Sequence, residues 1–276
     1  MDGCVGKREG GMRINRRAGN ARLVQLKSGC PGPCFFLVPG TGGRVEGFAA
    51  LASLLQIPMP VYAIEARGVD GSSEHDSDLE EIVKHYVNRV QTVQAAGPYF
   101  LLGHSFGGMV VFEMAQRLRA AGERVACLIL LDTPIPKRYW TLKFWLKNFG
   151  ARLHDHVTRL RTLPLKQSVV YYSRRVLLRI YGLQDIPADM KIGRDIARVL
   201  FANDMLFKIW RPNFYSDRLT LFGSTDVKDL ETLWRSRVQE LEVHSAAGGH
   251  INLIEPPYVS SLAVDISACL MKALSR

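Results

Sequence analysis

The chain has 276 residues, of which 47% are hydrophobic and 22% are charged, with 24 glycines and 13 prolines. This composition excludes collagen-like, low-complexity and wholly disordered chains. The longest uninterrupted apolar stretch, Val125 to Leu131, is far shorter than the roughly 18 residues of a membrane span. The charged N-terminus lacks the apolar segment of a secretory signal, and five cysteines are too few for a disulfide framework. We therefore expect a cytoplasmic protein with one large core.

The net charge is +10, and its distribution along the chain is uneven. Residues 133–215 carry 16 Lys and Arg against 5 Asp, and residues 1–27 carry 7 basic against 2 acidic residues. A basic segment attracts an acidic protein, a nucleic acid or an anionic membrane surface, and it is equally compatible with a solvated helical face. Charge alone leaves these alternatives open.

The predicted elements alternate between short apolar strands and longer helical patterns. Residues 1–21 are rich in Gly and Arg without periodicity and are predicted to form a disordered basic tail. Six predicted strands follow: Phe35–Pro39, Val61–Ala66, Tyr99–Gly103, Val125–Asp132, Arg218–Gly223 and Gln239–Ala246. Most of these six strands are continuously apolar, which is typical of strands that are buried on both faces, as in a parallel sheet.

Three helices are predicted among these strands. Ser77 and Glu80 form a capping-box pattern that opens a helix through about Gln94. The second helix covers Phe106–Ala121, and the third covers Tyr258–Leu274. The alternation of strands and helices predicts an α/β fold with a mostly parallel sheet flanked by helices.

One segment interrupts the alternation. From about residue 137 to residue 212 the sequence shows helical or loop patterns without a clear strand, and prolines lie at both ends. We interpret this segment as a helical insertion over the sheet, and residues 22–276 as one domain that contains it.

Gly103-His104-Ser105-Phe106-Gly107 has the pattern G-x-S-x-G between a predicted strand and a predicted helix. This context is typical of a nucleophile elbow, a tight turn that exposes the serine hydroxyl. The N-terminus of the following helix directs N–H groups towards a developing oxyanion. Ser105 is therefore the candidate nucleophile, and the alternative is an ordinary glycine-rich turn.

A serine nucleophile needs a histidine base that a carboxylate orients. In a fold with this elbow, the chain order is serine, acid, histidine. His250 lies in a loop before the last helix, whereas His244 lies inside the last predicted strand and is interpreted as structural. Asp132 and Asp226 both follow strands at the carboxyl edge of the sheet, where ligands and catalytic groups gather. The residues alone do not decide between the two acids.

Five segments carry a pattern that extends beyond the elbow: Phe35–Gly43, Ala66–Gly71, Gly97–Gly108, Leu130–Thr133 and Gly249–Asn252. Together they resemble the thioesterase domains of polyketide synthases and non-ribosomal peptide synthetases. The resemblance covers about residues 22–276 and implies an α/β-hydrolase fold, with the insertion as a lid. It also implies release of acyl chains from the phosphopantetheine arm of a carrier protein, by hydrolysis or by cyclisation.

The same resemblance implies roles for individual residues. It favours Asp132 over Asp226 as the acid. It places the oxyanion hole at the backbone N–H groups of Phe106 and Thr41.

The insertion contains aromatic residues at near-helical spacing, which are candidates either for an acyl pocket or for a helix face that packs on the sheet. They are Tyr139, Trp140, Phe144, Trp145 and Phe149. Its basic excess suits the docking of an acyl or peptidyl carrier protein, since carrier proteins are commonly acidic.

We expect no metal, because Cys30 and Cys34 lack further Cys or His residues at the spacing of metal ligands. We expect no cofactor apart from the phosphopantetheine of a partner, because the sequence contains no glycine motif that binds nucleotides. Aromatic and basic residues are not interleaved as in a nucleic-acid interface. Two other functions stay open: a carboxylesterase or lipase-like hydrolase, and a non-catalytic binding protein on a hydrolase scaffold.

Overall fold

The fold is built on one sheet of eight strands. The structure is a computed structural model that describes residues 13–14, 21–71, 74–140, 142, 194–224 and 230–276. The strands are β1 (Arg13–Ile14), β2 (Arg22–Lys27), β3 (Phe35–Val38), β4 (Val61–Glu65), β5 (Tyr99–His104), β6 (Val125–Leu131), β7 (Tyr215–Gly223) and β8 (Val238–Ser245). Their order in the sheet is β1-β2-β4-β3-β5-β6-β7-β8.

Six neighbouring strands, from β4 to β8 in this order, are parallel, and β1 and β2 add to one edge in the antiparallel sense. The central strands β3 and β5 are buried along their whole length, because both faces of the sheet are covered there. Since the six parallel strands run the same way, their carboxyl ends meet at one edge of the sheet. The segments that follow β3, β5, β6, β7 and β8 therefore gather at that edge.

Helices cover both faces of the sheet. They are α1 (Ala49–Leu54), α2 (Leu79–Gln91), α3 (Phe106–Ala120), α4 (Arg194–Ile209), α5 (Leu230–Arg235) and α6 (Val259–Leu274). Helices α2, α3, α4 and α5 contribute to one buried cluster, and α1 and α6 contribute to a second. Strand β5 divides its side chains between them: Tyr99 and Leu101 belong to the first cluster, and Phe100 and Leu102 to the second. This is the period of two that a strand imposes.

All six predicted strands and all three predicted helices are present, so the predicted mostly parallel α/β fold is confirmed. Some boundaries differ. Strand β7 begins at Tyr215 rather than at Arg218. The predicted capping box at Ser77 is wrong in register, because α2 begins at Leu79 and Asp78, in extended conformation, occupies the N-cap position.

The structure describes three residues of the predicted disordered tail, residues 1–21, and disorder of its other residues stays a prediction. Arg13 and Ile14 pair with β2, where backbone hydrogen bonds hold them without an apolar pattern of their own. Ala21 is buried, and its carbonyl oxygen accepts a hydrogen bond from Arg89 Nε. Residues 1–12 and 15–20 lie outside the described residues.

Of the predicted insertion over residues 137–212, the structure describes residues 137–140, 142 and 194–212. They include a 3-10 turn at Lys137–Tyr139 and the helix α4. That the insertion acts as a lid stays a prediction. Among the helices that the structure describes, none combines the length and the apolar character needed to cross a membrane.

Candidate active site

Ser105 lies in the turn between the end of β5 at His104 and the start of α3 at Phe106. Its φ of 55° and ψ of −117° form a backbone conformation that is sterically unfavourable for a residue with a Cβ. The Ser105 N–H donates to the Leu131 carbonyl oxygen at the end of β6, 2.9 Å away. The turn thus holds Ser105 at the carboxyl edge of the sheet, in the arrangement that a nucleophile elbow requires.

Three glycines allow the backbone to adopt this turn. A Cβ on Gly103 would lie 2.1 Å from the carbonyl oxygen of Gly107, and a Cβ on Gly107 would lie 2.2 Å from that of Val38. A Cβ on Gly108 would lie 1.7 Å from Thr133 Oγ1. Such contacts are sterically excluded, so the start of α3 packs directly against the ends of β3 and β6 only because these positions lack side chains.

His250 connects Ser105 to Asp132 through its two ring nitrogens. Its Nε2 lies 2.9 Å from Ser105 Oγ, and its Nδ1 lies 2.6 Å from Asp132 Oδ2. His250 belongs to the loop between β8 and α6, in which Gly249 N–H donates to Asn252 Oδ1. With the Nδ1 proton donated to the carboxylate, Nε2 accepts the hydrogen bond of the serine hydroxyl.

Asp132 directly follows β6 and is fully buried, with a φ of 46°. Its Oδ1 accepts the Ser224 N–H at 2.8 Å, and its Oδ2 accepts the Ser224 hydroxyl at 2.9 Å. Burial by itself raises the pKa of Asp132, but the hydrogen bond and charge of His250, together with the two Ser224 bonds, hold this pKa below its usual value. Asp132 is therefore ionised at neutral pH and can stabilise a positively charged His250 ring.

Ser224 is a residue that the sequence reasoning missed. It follows β7, the neighbour of β6 in the sheet, so its backbone and hydroxyl reach Asp132 from the adjacent strand end. A polar residue directly after a buried parallel strand is the signal that could have found it.

His104, inside the G-x-S-x-G motif, was also missed. Its Nε2 lies 3.0 Å from the carbonyl oxygen of His250, and the two ring centroids lie 5.3 Å apart. Burial, with a smaller contribution from the charge of His250, lowers the pKa of His104 to about 4. The ring is therefore neutral at neutral pH and donates from Nε2. In this way His104 ties the loop of His250 to the end of β5.

The two predicted oxyanion donors belong to segments that border Ser105. Phe106 is the buried first residue of α3 and follows Ser105 directly. The glycine-rich loop after β3 comes close as well, since a Cβ on Gly40 would lie 3.5 Å from Ser105 Cβ. Asn203 of α4 anchors this loop by donating its side-chain N–H to the Thr41 carbonyl oxygen at 2.9 Å. The oxyanion role of the Phe106 and Thr41 N–H groups stays a prediction.

Tyr139 and Trp140, at the start of the predicted insertion, are partly buried and pack against the cluster formed by α2, α3, α4 and α5. The Tyr139 ring contacts the guanidinium groups of Arg138 and Arg237, which lie 5.0 and 4.8 Å from its centroid. Trp140 donates its indole N–H to the carbonyl oxygen of Ile135 at 3.0 Å. Their role in an acyl pocket stays a prediction.

Four further residues named by the sequence analysis lie outside the described residues. They are Asp226, the alternative acid, and the aromatic residues Phe144, Trp145 and Phe149. Of the two candidate acids, Asp132 is the one that the structure describes, in contact with His250.

A family model described as "Thioesterase domain" matches residues 34–269, which is most of the chain. The chain is a member of the thioesterase domain family. The matched range begins just before β3, ends within α6, and contains Ser105, Asp132 and His250.

Curated relatives of this thioesterase domain include synthetases and synthases. The chain is 38% identical to malpinin synthetase of Mortierella alpina over 116 residues, which cover 42% of the chain and 2% of that protein. It is 35% identical to a dimodular nonribosomal peptide synthase of Bacillus subtilis over 121 residues, which cover 44% of the chain and 5% of that protein. The chain thus spans a small fraction of the length of these relatives.

A solved structure of the NocB thioesterase domain, in covalent complex with a fluorophosphonate nocardicin G analogue, is similar to the chain. The TM-score is 0.62 at 24% identity, and the match covers 87% of the chain and 95% of that structure. The likeness confirms the predicted α/β-hydrolase fold of the thioesterase domain.

Proposed function

We propose that this thioesterase releases an acyl, polyketide or peptidyl chain from the phosphopantetheine thioester of a carrier protein, through an acyl-Ser105 intermediate. The observation that carries the proposal is the continuous line of hydrogen bonds from Ser105 Oγ through His250 to the buried Asp132. Family membership and the synthetase relatives support a thioester as the bond that is cleaved.

In the acylation step, His250 Nε2 takes the proton of Ser105 as Oγ attacks the thioester carbonyl carbon. The positive charge that forms on His250 is stabilised by the ionised Asp132, which also fixes the proton on Nδ1. The negative oxygen of the tetrahedral intermediate is stabilised by the N–H groups of Phe106 and Thr41. When the carbon–sulfur bond breaks, the thiol of the carrier leaves with the proton from His250.

In the deacylation step, water or an internal hydroxyl or amine attacks the ester of Ser105. His250 accepts the proton of this second nucleophile, and Ser105 Oγ leaves as the hydroxyl. Water gives a free acid, and an internal nucleophile gives a ring. Exclusion of water by the insertion therefore decides between hydrolysis and cyclisation.

The partner in this proposal is an acyl or peptidyl carrier protein that meets the basic insertion. The 16 Lys and Arg residues between positions 133 and 215 steer an acidic carrier towards the site by long-range attraction. Because salt screens such attraction, the association rate falls as ionic strength rises. Stopped-flow association rates that are equal at low and high salt would contradict this part of the proposal.

The experiment that tests the proposal is intact mass spectrometry after mixing the protein with a panel of acyl-N-acetylcysteamine thioesters. We expect an acyl adduct and turnover in the native protein, and neither in the Ser105→Ala variant. Ser53→Ala, which removes an exposed serine hydroxyl on α1, is the matched control and should react like the native protein.

Two other outcomes would replace the proposal. Cleavage of oxygen esters without adducts from any thioester would indicate a carboxylesterase. Failure of Ser105 to react with a serine-directed fluorophosphonate would indicate a binding protein, because a serine held by a histidine base should be labelled.

A further inference from the structure

Away from Ser105, the edge strand β8 and the helix α6 bring together three side chains that carry metal-binding atoms. Glu242 and His244 are two residues apart on β8, so both side chains lie on the same face of the sheet. Cys269 of α6 faces them. His244 Nε2 lies 3.4 Å from Glu242 Oε1 and 3.8 Å from Cys269 Sγ, and the three atoms all lie within 4.8 Å of one another.

The two distances from His244 are close to the spacing of ligands in a tetrahedral zinc site. With bonds of about 2.0 Å to nitrogen and oxygen and about 2.3 Å to sulfur, neighbouring ligand atoms lie about 3.3 to 3.5 Å apart. Binding of one ion would require side-chain rotations that bring Glu242 and Cys269, now within 4.8 Å, to this spacing. We propose that Glu242, His244 and Cys269 bind a divalent cation of the zinc class, with the fourth position open to water.

The choice of a zinc-class ion follows from the ligand atoms. One thiolate, one imidazole and one carboxylate suit a borderline-soft cation, whereas Mg²⁺ and Ca²⁺ take oxygen ligands. The Phe222 ring stacks on His244 with centroids 4.8 Å apart and planes inclined by 15°, which holds the imidazole in its orientation.

Two neighbouring groups must change when the cation binds. Lys272 Nζ lies 3.3 Å from Glu242 Oε1, and its side chain is 55% exposed, so its ammonium group can move into water. The thiol of Cys269 releases its proton to solvent as the sulfur–metal bond forms, because the ligand is the thiolate.

The site lies on the two elements that flank the loop of His250. Glu242 and His244 lie near the end of β8, Cys269 lies on α6, and His250 lies in the loop between these elements. None of the three ligands belongs to the line of hydrogen bonds at Ser105, so cation binding should not require Ser105 or the proposed thioesterase activity.

The test is titration of the reduced, tag-free protein with Co²⁺, followed by Zn²⁺. Co²⁺ bound to a thiolate gives a charge-transfer absorption in the near ultraviolet, and Zn²⁺ should abolish this band by competition. We expect the band in the native protein and in Ser105→Ala, and its loss in Cys269→Ser. Cys30→Ser, which removes a cysteine outside the cluster, is the matched control and should keep the band.

Two further variants keep the test decisive if Cys269→Ser is unstable. His244→Ala should weaken Zn²⁺ binding by more than about tenfold, because it removes one of three ligands. Lys272→Ala should strengthen binding, because it removes the ammonium group that competes for Glu242. Absence of a thiolate–cobalt band in the native protein, or an equal band in Cys269→Ser, would overturn the proposal. A Lys272→Ala variant that binds Zn²⁺ more weakly would overturn it as well.

Discussion

Replacement of Asp132 by Asn tests whether the buried carboxylate directs the proton of His250. Asp132 accepts hydrogen bonds from the Ser224 N–H at Oδ1 and from His250 and the Ser224 hydroxyl at Oδ2. An amide of the same shape has only one acceptor oxygen, and its nitrogen is a donor. With the nitrogen at the Oδ2 position, His250 Nδ1 must become an acceptor, and the ring proton moves to Nε2. In that tautomer His250 cannot accept the proton of Ser105.

The opposite orientation of the amide is also unfavourable. It places the amide nitrogen against the Ser224 N–H, at the position where Oδ1 now accepts at 2.8 Å. Two donors would face each other in a buried site, at a cost of about 1–3 kcal/mol. The protein therefore cannot avoid the wrong tautomer by turning the amide.

We expect Asp132→Asn to lower kcat by about 10,000-fold, the size of the effect of the same exchange in a serine protease, with a small effect on KM. The assay is thiol release from an acyl-N-acetylcysteamine substrate at saturation, with circular dichroism to check the fold. Asp226→Asn is the matched control and should retain most of its activity. If Asp132→Asn stays within tenfold of the native kcat while Asp226→Asn loses activity, the acid is Asp226 and the reasoning is refuted.

Three other substitutions test separate contacts. Gly107→Ala should lower the free energy of unfolding by about 3 kcal/mol in urea titration, because its Cβ would meet the backbone of β3; an unchanged midpoint would contradict this. The pKa of His104 is about 4 in the folded protein, whereas an unfolded histidine has a pKa near 6.5. Between these two pH values the unfolded chain binds a proton at His104 and the folded protein does not, so the free energy of unfolding falls as the pH drops from about 6.5 to about 4. His104→Gln should remove up to about 3 kcal/mol of that loss, seen as a flatter stability–pH curve than in the native protein. Asn203→Ala should lower kcat about fivefold, because it releases the loop of Thr41 and a fivefold effect corresponds to the free energy of one hydrogen bond. A kcat equal to that of the native protein would show that this hydrogen bond is not needed.

The sequence predicts the elements whose patterns are local. Strands such as Phe35–Val38 and Tyr99–His104 are continuously apolar because helices cover both of their faces, and such runs are visible without a structure. Strand β2, Arg22–Lys27, mixes polar and apolar residues because it lies near the edge of the sheet and pairs in the antiparallel sense. Its pattern is too weak to separate it from a loop.

Some residues of the candidate site can be predicted from the sequence, and others cannot. Ser105, Asp132 and His250 can be named from the motif, the chain order and the family resemblance, because each occupies a characteristic place relative to a strand. His104, Ser224 and Asn203 act through tertiary hydrogen bonds whose partners are 146, 92 and 162 residues away along the chain. The types of these residues do not show which partners they will meet in the folded chain.

The cluster on β8 and α6 could not be predicted from the sequence either. Glu242 and His244 are separated from Cys269 by most of a helix and a loop, which is unlike the short ligand spacings of common zinc motifs. His244 is interpreted from the sequence as a structural residue, and its ring does stack on Phe222. Only the packing of α6 beside β8 brings the three ligand atoms within reach.

The contact between α4 and the glycine-rich loop has a consequence for protein engineering. Asn203 bonds Thr41, a Cβ on Gly43 would lie 3.4 Å from Val199 Cγ1, and a Cβ on Gly42 would lie 3.9 Å from Leu200 Cδ2. A chimeric enzyme that takes its insertion from another thioesterase, to accept a different acyl group, would also exchange this face of α4. Such a graft should therefore end before α4, so that the recipient keeps the helix that its own loop fits.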